Sequence, residues 1–190
     1  PFQPLVEEVL FSPYGDVDTL QNVVDKDTAF VILEPIQGES GIHVPPEGFL
    51  REVRKICDEN DSLLIFDEIQ SGLGRTGSMW ASEHWKTVPD IMCLAKGIAG
   101  GVPMGATLVR ADILAVMKKG EHSSTFGGNP LACAAGTATL QALTQDGLVE
   151  NAKSVGEKFL QGLEELKSKH KIIREVRGKG LMIGVELKFE

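Results

Sequence analysis

Short apolar runs recur along the chain, and each ends abruptly in polar residues. Val31-Ile32-Leu33 passes into Glu34-Pro35-Ile36-Gln37-Gly38-Glu39, Leu63-Leu64-Ile65-Phe66 into Asp67-Glu68-Ile69-Gln70, and Ile91-Met92-Cys93-Leu94-Ala95 into Lys96-Gly97. Runs of this length and composition predict strands of a parallel sheet buried on both faces. Between the first two lies a segment with helical spacing, Pro46 to Asn60. A proline stands near its first turn, and Phe49, Val53, Ile56 and Cys57 fall on one face. Strand, helix and strand make a βαβ unit, and the handedness rule makes the strands from Ala29 to Leu33 and Leu63 to Phe66 parallel. The strands Ile91 to Ala95 and Ala106 to Val109 flank Gly100-Gly101-Val102-Pro103-Met104-Gly105, a connection short enough for an antiparallel return. Asn129-Pro130 opens a helix of small residues from Leu131 to Leu143. Leu148, Ala152, Val155, Phe159, Leu163 and Leu166 then form a helical stripe ending in the charged turn Lys167 to Lys171. Leu181 to Leu187 reads as the first strand of a smaller unit, with a boundary near 145–150. The pattern predicts an α/β fold with a mostly parallel sheet flanked by helices.

Composition narrows the function classes. A chain of 190 residues can bury about 70% of its unfolded surface, enough for a real core. A net charge of -8 argues against nucleic acid as a partner, because phosphate contacts need clustered Lys and Arg. Cys57, Cys93 and Cys133 are odd in number and widely spaced, which supports neither a disulfide framework nor a zinc site. The apolar runs are too short to span a bilayer and no stretch reads as a signal peptide, so no membrane role and a cytoplasmic setting are expected.

The strand ends carry the candidate chemistry. Ligands of open α/β sheets bind in the crevice beyond the carboxyl ends of the strands, where Asp67 and Lys96 fall. The competing reading is a structural ion pair. A cofactor that draws electrons from a substrate works best with its ring nitrogen protonated, and a carboxylate held against that nitrogen keeps the proton there. Asp67 suits that task. A lysine that bonds a carbonyl carbon and then shuttles a proton must spend part of its time neutral, which burial and a nearby cation favour, and Lys96 suits that one. Two other motifs compete. Gly72-Leu73-Gly74-Arg75-Thr76-Gly77 has the form of a dinucleotide fingerprint. It lies well past its strand, however, and Ser78 to Trp85 lacks a clean apolar helix face. Leu63 to Glu68 has the form of a Walker B strand, but the chain holds no matching phosphate loop. His43, His84, His122 and His170 lack metal-ligand spacing, so no metal site is expected.

With the hydroxyl-rich loop Ser123-Ser124-Thr125-Phe126-Gly127-Gly128-Asn129-Pro130, these strand ends form an ordered set of four motifs. The set resembles class III, fold-type I, pyridoxal-phosphate aminotransferases. It is most similar to the acetylornithine and ornithine branch, which includes enzymes for carrier-linked lysine. The resemblance implies residues 1–147 as the central part of a cofactor-binding large domain, and 148–190 as a connecting helix and the first strand of a C-terminal small domain. The family's N-terminal and C-terminal regions lie outside the chain. The implied cofactor is pyridoxal 5'-phosphate. Lys96 would be its imine-forming lysine and proton shuttle, Asp67 the partner of its ring nitrogen, and Gln70 the donor to its phenolate oxygen. Thr125, with Ser124 beside it, would reach the cofactor phosphate of the other subunit of a homodimer with shared active sites. Glu34 and Glu39 would line the substrate pocket, Glu39 being the acid that pairs with an arginine of the absent C-terminal region. The implied reaction transfers a terminal amino group from an acetylornithine, ornithine or lysine-type donor to 2-oxoglutarate. The alternatives are a 4-aminobutyrate-type enzyme, or an inactive fragment without a complete cofactor site. Arg75 is expected to fix the loop after the Asp67 strand.

Overall fold

The structure, a computed structural model, describes residues 7–188. In chain order its elements are α1 (Val17–Val23), β1 (Phe30–Leu33), α2 (Phe49–Glu59), β2 (Leu63–Asp67), β3 (Ile91–Leu94), β4 (Ala106–Val109), the single turn α3 (Ala111–Leu114), α4 (Pro130–Gln145), α5 (Leu148–Lys169), β5 (Ile173–Lys179) and β6 (Met182–Leu187). The first four strands form one sheet in sequence order, with β1, β2 and β3 parallel and β4 antiparallel to β3. The βαβ unit and the antiparallel return through the glycine-rich connection are both as the pattern predicts.

Helix α2 begins three residues later than its sequence suggests. Gly48 sits at φ 87°, outside helical geometry, and the two preceding prolines lead into it. From Phe49 onward the expected face is buried: Phe49, Leu50, Val53, Ile56 and Cys57 recur at helical spacing. They pack with Leu64 and Phe66 of β2, and with Ile36, Ala81 and Trp85, in the larger core cluster. Burying a side chain of this size contributes about 1.5–3 kcal/mol, so α2 against β2 is the main apolar seam of the fold.

The strands are not buried on both faces. Register puts Val31, Leu33, Leu64, Phe66, Met92 and Leu94 on one side, where Leu64 and Phe66 are fully buried. The opposite side carries Phe30, Ile32, Leu63, Ile65, Asp67, Ile91 and Cys93. Its residues are half-buried or exposed, and Ile32 retains 56% of its surface. Apolar runs therefore report both faces as coverable, while the described residues cover only one.

At the amino end of β3, Asp90 ties four elements together. Its Oδ2 accepts from the Leu64 backbone N–H at 2.7 Å and from Arg54 Nη1 at 2.7 Å, and its Oδ1 accepts from Arg110 Nη1. Arg54 also pairs with Asp58 at 2.7 Å. Burial pushes the Asp90 carboxyl up, but the Leu64 N–H and the two guanidinium groups outweigh it and hold the group below the usual carboxylate range.

The C-terminal part departs twice from expectation. Leu181 to Leu187 contains the second strand of a hairpin rather than a first strand: β5 and β6 pair antiparallel from Ile173↔Leu187 to Lys179↔Met182. Most of the α5 stripe is also not buried. Leu148, Val155, Phe159 and Leu166 are exposed and Leu163 is half-buried, while Ala152 of the stripe is buried together with Gly156 outside it. A side chain at Gly156 would put its Cβ 2.1 Å from the Gly180 carbonyl oxygen, so only small residues let α5 approach the β5–β6 turn.

The loop with the dinucleotide-like spacing receives these two elements. A Cβ at Gly77, which has φ 82°, would stand 2.8 Å from Lys153 Cβ on α5. The Leu181 N–H donates to the Arg75 carbonyl at 2.9 Å, and Lys179 Nζ lies 5.5 Å from the centre of the Trp85 ring. Its glycines permit close packing of backbone on backbone, and no helix follows them: Ala81–Trp85 is a short 3-10 turn. Arg75 does fix the loop, but through its main chain, and its side chain is exposed.

Candidate active site

Two neighbouring parallel strands each deliver one of the charged candidates at the carboxyl end. Asp67 closes β2 opposite Cys93 of β3, and Lys96 follows β3 by two residues. Asp67 Oδ1 accepts from the Ile69 backbone N–H at 2.9 Å, which fixes the carboxylate and leaves Oδ2 as an acceptor. Its charge reaches the next strand. Burial and then the Asp67 carboxylate push the Cys93 thiol above its ordinary range, against a hydrogen bond from Thr107.

Lys96 is the first residue of a 3-10 turn, Lys96–Ala99, and its φ is 46°. A non-glycine residue held in this left-handed region costs on the order of 1–3 kcal/mol, which the packing of the rest of the turn must offset. That packing is visible: Ile98 and Ala99 are buried with Met92 and Leu94, and Ala135 of α4 lies against them. The burial expected of Lys96 itself is not found. It is exposed, and so are Gly97, Gly100 and Gly101.

The segment after β1 supplies the acids and turns back on itself. Glu34 Oε2 accepts from the Gly38 N–H at 2.9 Å, and the Gly38 carbonyl accepts from Gly41 at 3.0 Å and Ile42 at 3.2 Å. Gln37 and His43 then form a two-residue bridge. Burial and next the Glu34 charge raise the Tyr14 phenol, whose hydroxyl donates to the Pro35 carbonyl at 2.8 Å. Arg177 of β5 holds the far side of the turn, its Nε donating to the carbonyls of Gly41 and Ile42 at 3.1 and 3.0 Å. Glu39, exposed, accepts from Gln70 Nε2 at 3.1 Å. The segments after β1 and β2 thus meet through Gln70 and Glu39, and Glu34 and Asp67 line one cavity.

Ser124 and Thr125 stand apart. Both are exposed, the Ser124 hydroxyl accepts from the Gly127 N–H at 3.1 Å, and among the described residues no hydrogen bond joins either to Asp67, Gln70 or Lys96. Their loop leads into α4, whose first turn is capped by Asn129 Oδ1 accepting from Ala132 N–H.

One organising residue escapes the sequence reading. Glu68 is fully buried, and its carboxylate accepts from Ser71 Oγ at 2.6 Å, Ala81 N–H at 3.0 Å and Ser82 N–H at 2.9 Å. It closes the segment between β2 and the 3-10 turn, so that Gln70 leaves the sheet from a fixed base. Its signal was the second acid of Asp67-Glu68, which strand alternation places on the buried side.

A mostly parallel sheet with a carboxylate and a lysine past the carboxyl ends of neighbouring strands is the frame of a fold-type I pyridoxal-phosphate transferase. The class III aminotransferase family model matches residues 5–190, and the chain belongs to that family. It is 52% identical over 187 residues to the acetylornithine aminotransferase of Methanopyrus kandleri, covering 98% of this chain and 47% of that protein. It is 51% identical over 189 residues to the acetylornithine aminotransferase of Caldanaerobacter subterraneus, covering 100% and 48%. The ornithine aminotransferase of Toxoplasma gondii, crystallized with oxidized glutathione and with partial occupancy of its active site by pyridoxal phosphate, superposes with a TM-score of 0.94 at 42% identity, covering 98% of this chain and 45% of that one. The chain spans about half the length of the curated relatives it matches.

The donor set fits such a cofactor. Asp67 keeps one carboxylate oxygen to accept from a protonated ring nitrogen, Lys96 offers an exposed primary amine, and the Gln70 amide retains a second N–H after donating to Glu39.

Proposed function

We propose that this chain is the central part of a pyridoxal-phosphate aminotransferase. Its reaction moves a terminal amino group from an acetylornithine- or ornithine-type donor to 2-oxoglutarate, giving an aldehyde and glutamate. The observation that carries this reading is the placement of Asp67 and Lys96 at neighbouring parallel strand ends in a chain about half identical to acetylornithine aminotransferases. When bound, the cofactor supplies an electron sink for the bond broken at the amino-bearing carbon of the substrate. Asp67 holds a proton on the ring nitrogen through Oδ2, with Oδ1 kept in line by Ile69. Lys96 Nζ takes up and returns the proton at the substrate carbon. Gln70 donates its second N–H to the ring oxygen. Glu34 and Glu39 face the substrate.

Thr125, with Ser124 beside it, donates to the cofactor phosphate of a partner subunit, which makes a homodimer the working unit. Their exposure and their separation from Asp67 and Lys96 support this reading. Residues 1–147 belong to the large domain, and 148–190 comprise the connecting helix and the β5–β6 hairpin that opens the small one.

Borohydride reduction of the cofactor-loaded full-length enzyme, followed by peptide mass spectrometry, tests the assignment. The expected adduct is on Lys96, and one on Lys55 or Lys118 overturns it. Rates with N-acetylornithine, ornithine and 4-aminobutyrate test the donor, and preference for 4-aminobutyrate refutes the proposed branch.

A further inference from the structure

We propose that Gly38 is a positioning residue, kept free of a side chain so that the Gln70 amide can lie across it and hold Glu39. The backbone does not demand glycine here. Gly38 is absent from the positions with positive φ, unlike its neighbour Gly41 at φ 119°, so an L-residue could adopt its conformation. Space demands it instead. A Cβ at Gly38 would stand 1.5 Å from Gln70 Oε1, 2.3 Å from Cδ and 3.1 Å from Nε2. All three atoms belong to the end of a flexible side chain, so alanine would displace Gln70 rather than unfold the loop.

The other groups of Gly38 are already engaged. Its N–H donates to Glu34 and its carbonyl accepts from Gly41 and Ile42, so the backbone is held while Gln70 rests on the empty side. The amide then donates to Glu39 at 3.1 Å. Gly38 consequently places one amide and two acids together. Alanine there removes the Gln70–Glu39 contact without altering either residue.

The functional consequence rests on the proposed role of Gln70 toward the cofactor. Losing one hydrogen bond to the cofactor's phenolate oxygen corresponds to a loss of affinity of about tenfold or more. Gly38→Ala, Gln70→Ala and the double variant are prepared in the full-length enzyme. Pyridoxal-phosphate affinity is measured by titrating apoenzyme and reading the visible absorbance, KM for the amino donor is measured alongside, and the apoenzyme variants are crystallised. The expected result is an equal loss of about tenfold or more in both single variants and no further loss in the double, with the apoenzyme's melting temperature moving little. In the Gly38→Ala crystal structure, Gln70 Nε2 should have left Glu39. If it stays within hydrogen-bond distance, or if Gly38→Ala adds a further loss to Gln70→Ala, the proposal is wrong. If Gln70→Ala binds cofactor like the unaltered enzyme while Gly38→Ala still displaces Gln70, the positioning stands and the cofactor role of Gln70 falls.

Discussion

Replacing Asp90 by alanine tests whether the amino end of the sheet secures the strands that carry the site. The Asp90 side chain is 5% exposed, and three donors converge on it. The Leu64 N–H, buried in the β2 ladder, would lose its acceptor, at a cost of about 1–3 kcal/mol. Arg54 is 20% exposed and keeps Asp58 at 2.7 Å, so it forfeits one charge-assisted bond of about 1.5–3 kcal/mol rather than all its pairing. Arg110 is 55% exposed and retains Asp112, and its share is about 0–1 kcal/mol. Relief of the desolvation of Asp90 offsets part of this, leaving a net loss of about 3 kcal/mol, at the low end for a broken buried pair. For a folded unit of this size that corresponds to a fall in melting temperature of about 6–12 °C. Asp90→Asn keeps an acceptor for Leu64 and should lose about half as much.

The same group sets an acid limit. Because its folded-state pKa is depressed, its stabilisation is fully present above the unfolded value of about 4 and is lost as pH falls through the folded value. Calorimetry and urea titration from pH 7 to pH 3 should show the gap between the original protein and Asp90→Ala closing below about pH 4. A drop in melting temperature under about 2 °C at pH 7, or a gap that widens on acidification, would refute the account.

Asp67→Asn preserves shape but removes the charge proposed to hold the ring proton, so turnover should fall by orders of magnitude while circular dichroism is unchanged; near-original turnover would exclude that role. Glu68→Gln puts an NH2 group where one of the two oxygens accepts, so either the Ala81 or the Ser82 N–H faces a donor, and stability should fall by about 2–4 kcal/mol in urea unfolding, a cost under 1 kcal/mol counting against its place as the base of the loop. Mixing Lys96→Ala with Thr125→Ala subunits should restore one good cofactor site per heterodimer, since the intact Lys96 then meets an intact Thr125. Heterodimers that form but gain no affinity would put Thr125 in its own subunit's site.

The strand ends were legible because each apolar run stops where the sheet stops, and the residue after the stop is the one presented at the crevice. Asp67 and Lys96 could be read this way without any pairing information. Strand β5 could not, because Ile-Arg-Glu-Val-Arg-Gly-Lys carries four charges in seven residues. Its inward position is Val176, and Arg177 is retained because the Gly41 and Ile42 carbonyls and Glu186 satisfy it. The α5 stripe misled for the opposite reason. Periodicity reports which positions share a face, not how near the neighbour comes, and at Gly156 the neighbour is another backbone.

The close approaches at Gly38 and Gly77 show why glycine spacing is ambiguous in sequence. At Gly77 the missing side chain admits a helix, and at Gly38 it admits the amide of Gln70. A regular spacing of glycines records only that several backbones must be approached, and leaves the approaching group unnamed. The strand-end polar residues are more informative because each already carries its chemistry. At the two ends of β2 and β3, charge therefore has opposite consequences. Asp90 is enclosed by donors that leave it nothing further to bind, whereas Asp67 has one oxygen fixed and the other left to accept. The first arrangement stabilises the sheet, and the second leaves an acceptor open to a ligand, so it is the saturation of each carboxylate, rather than its burial, that distinguishes the two.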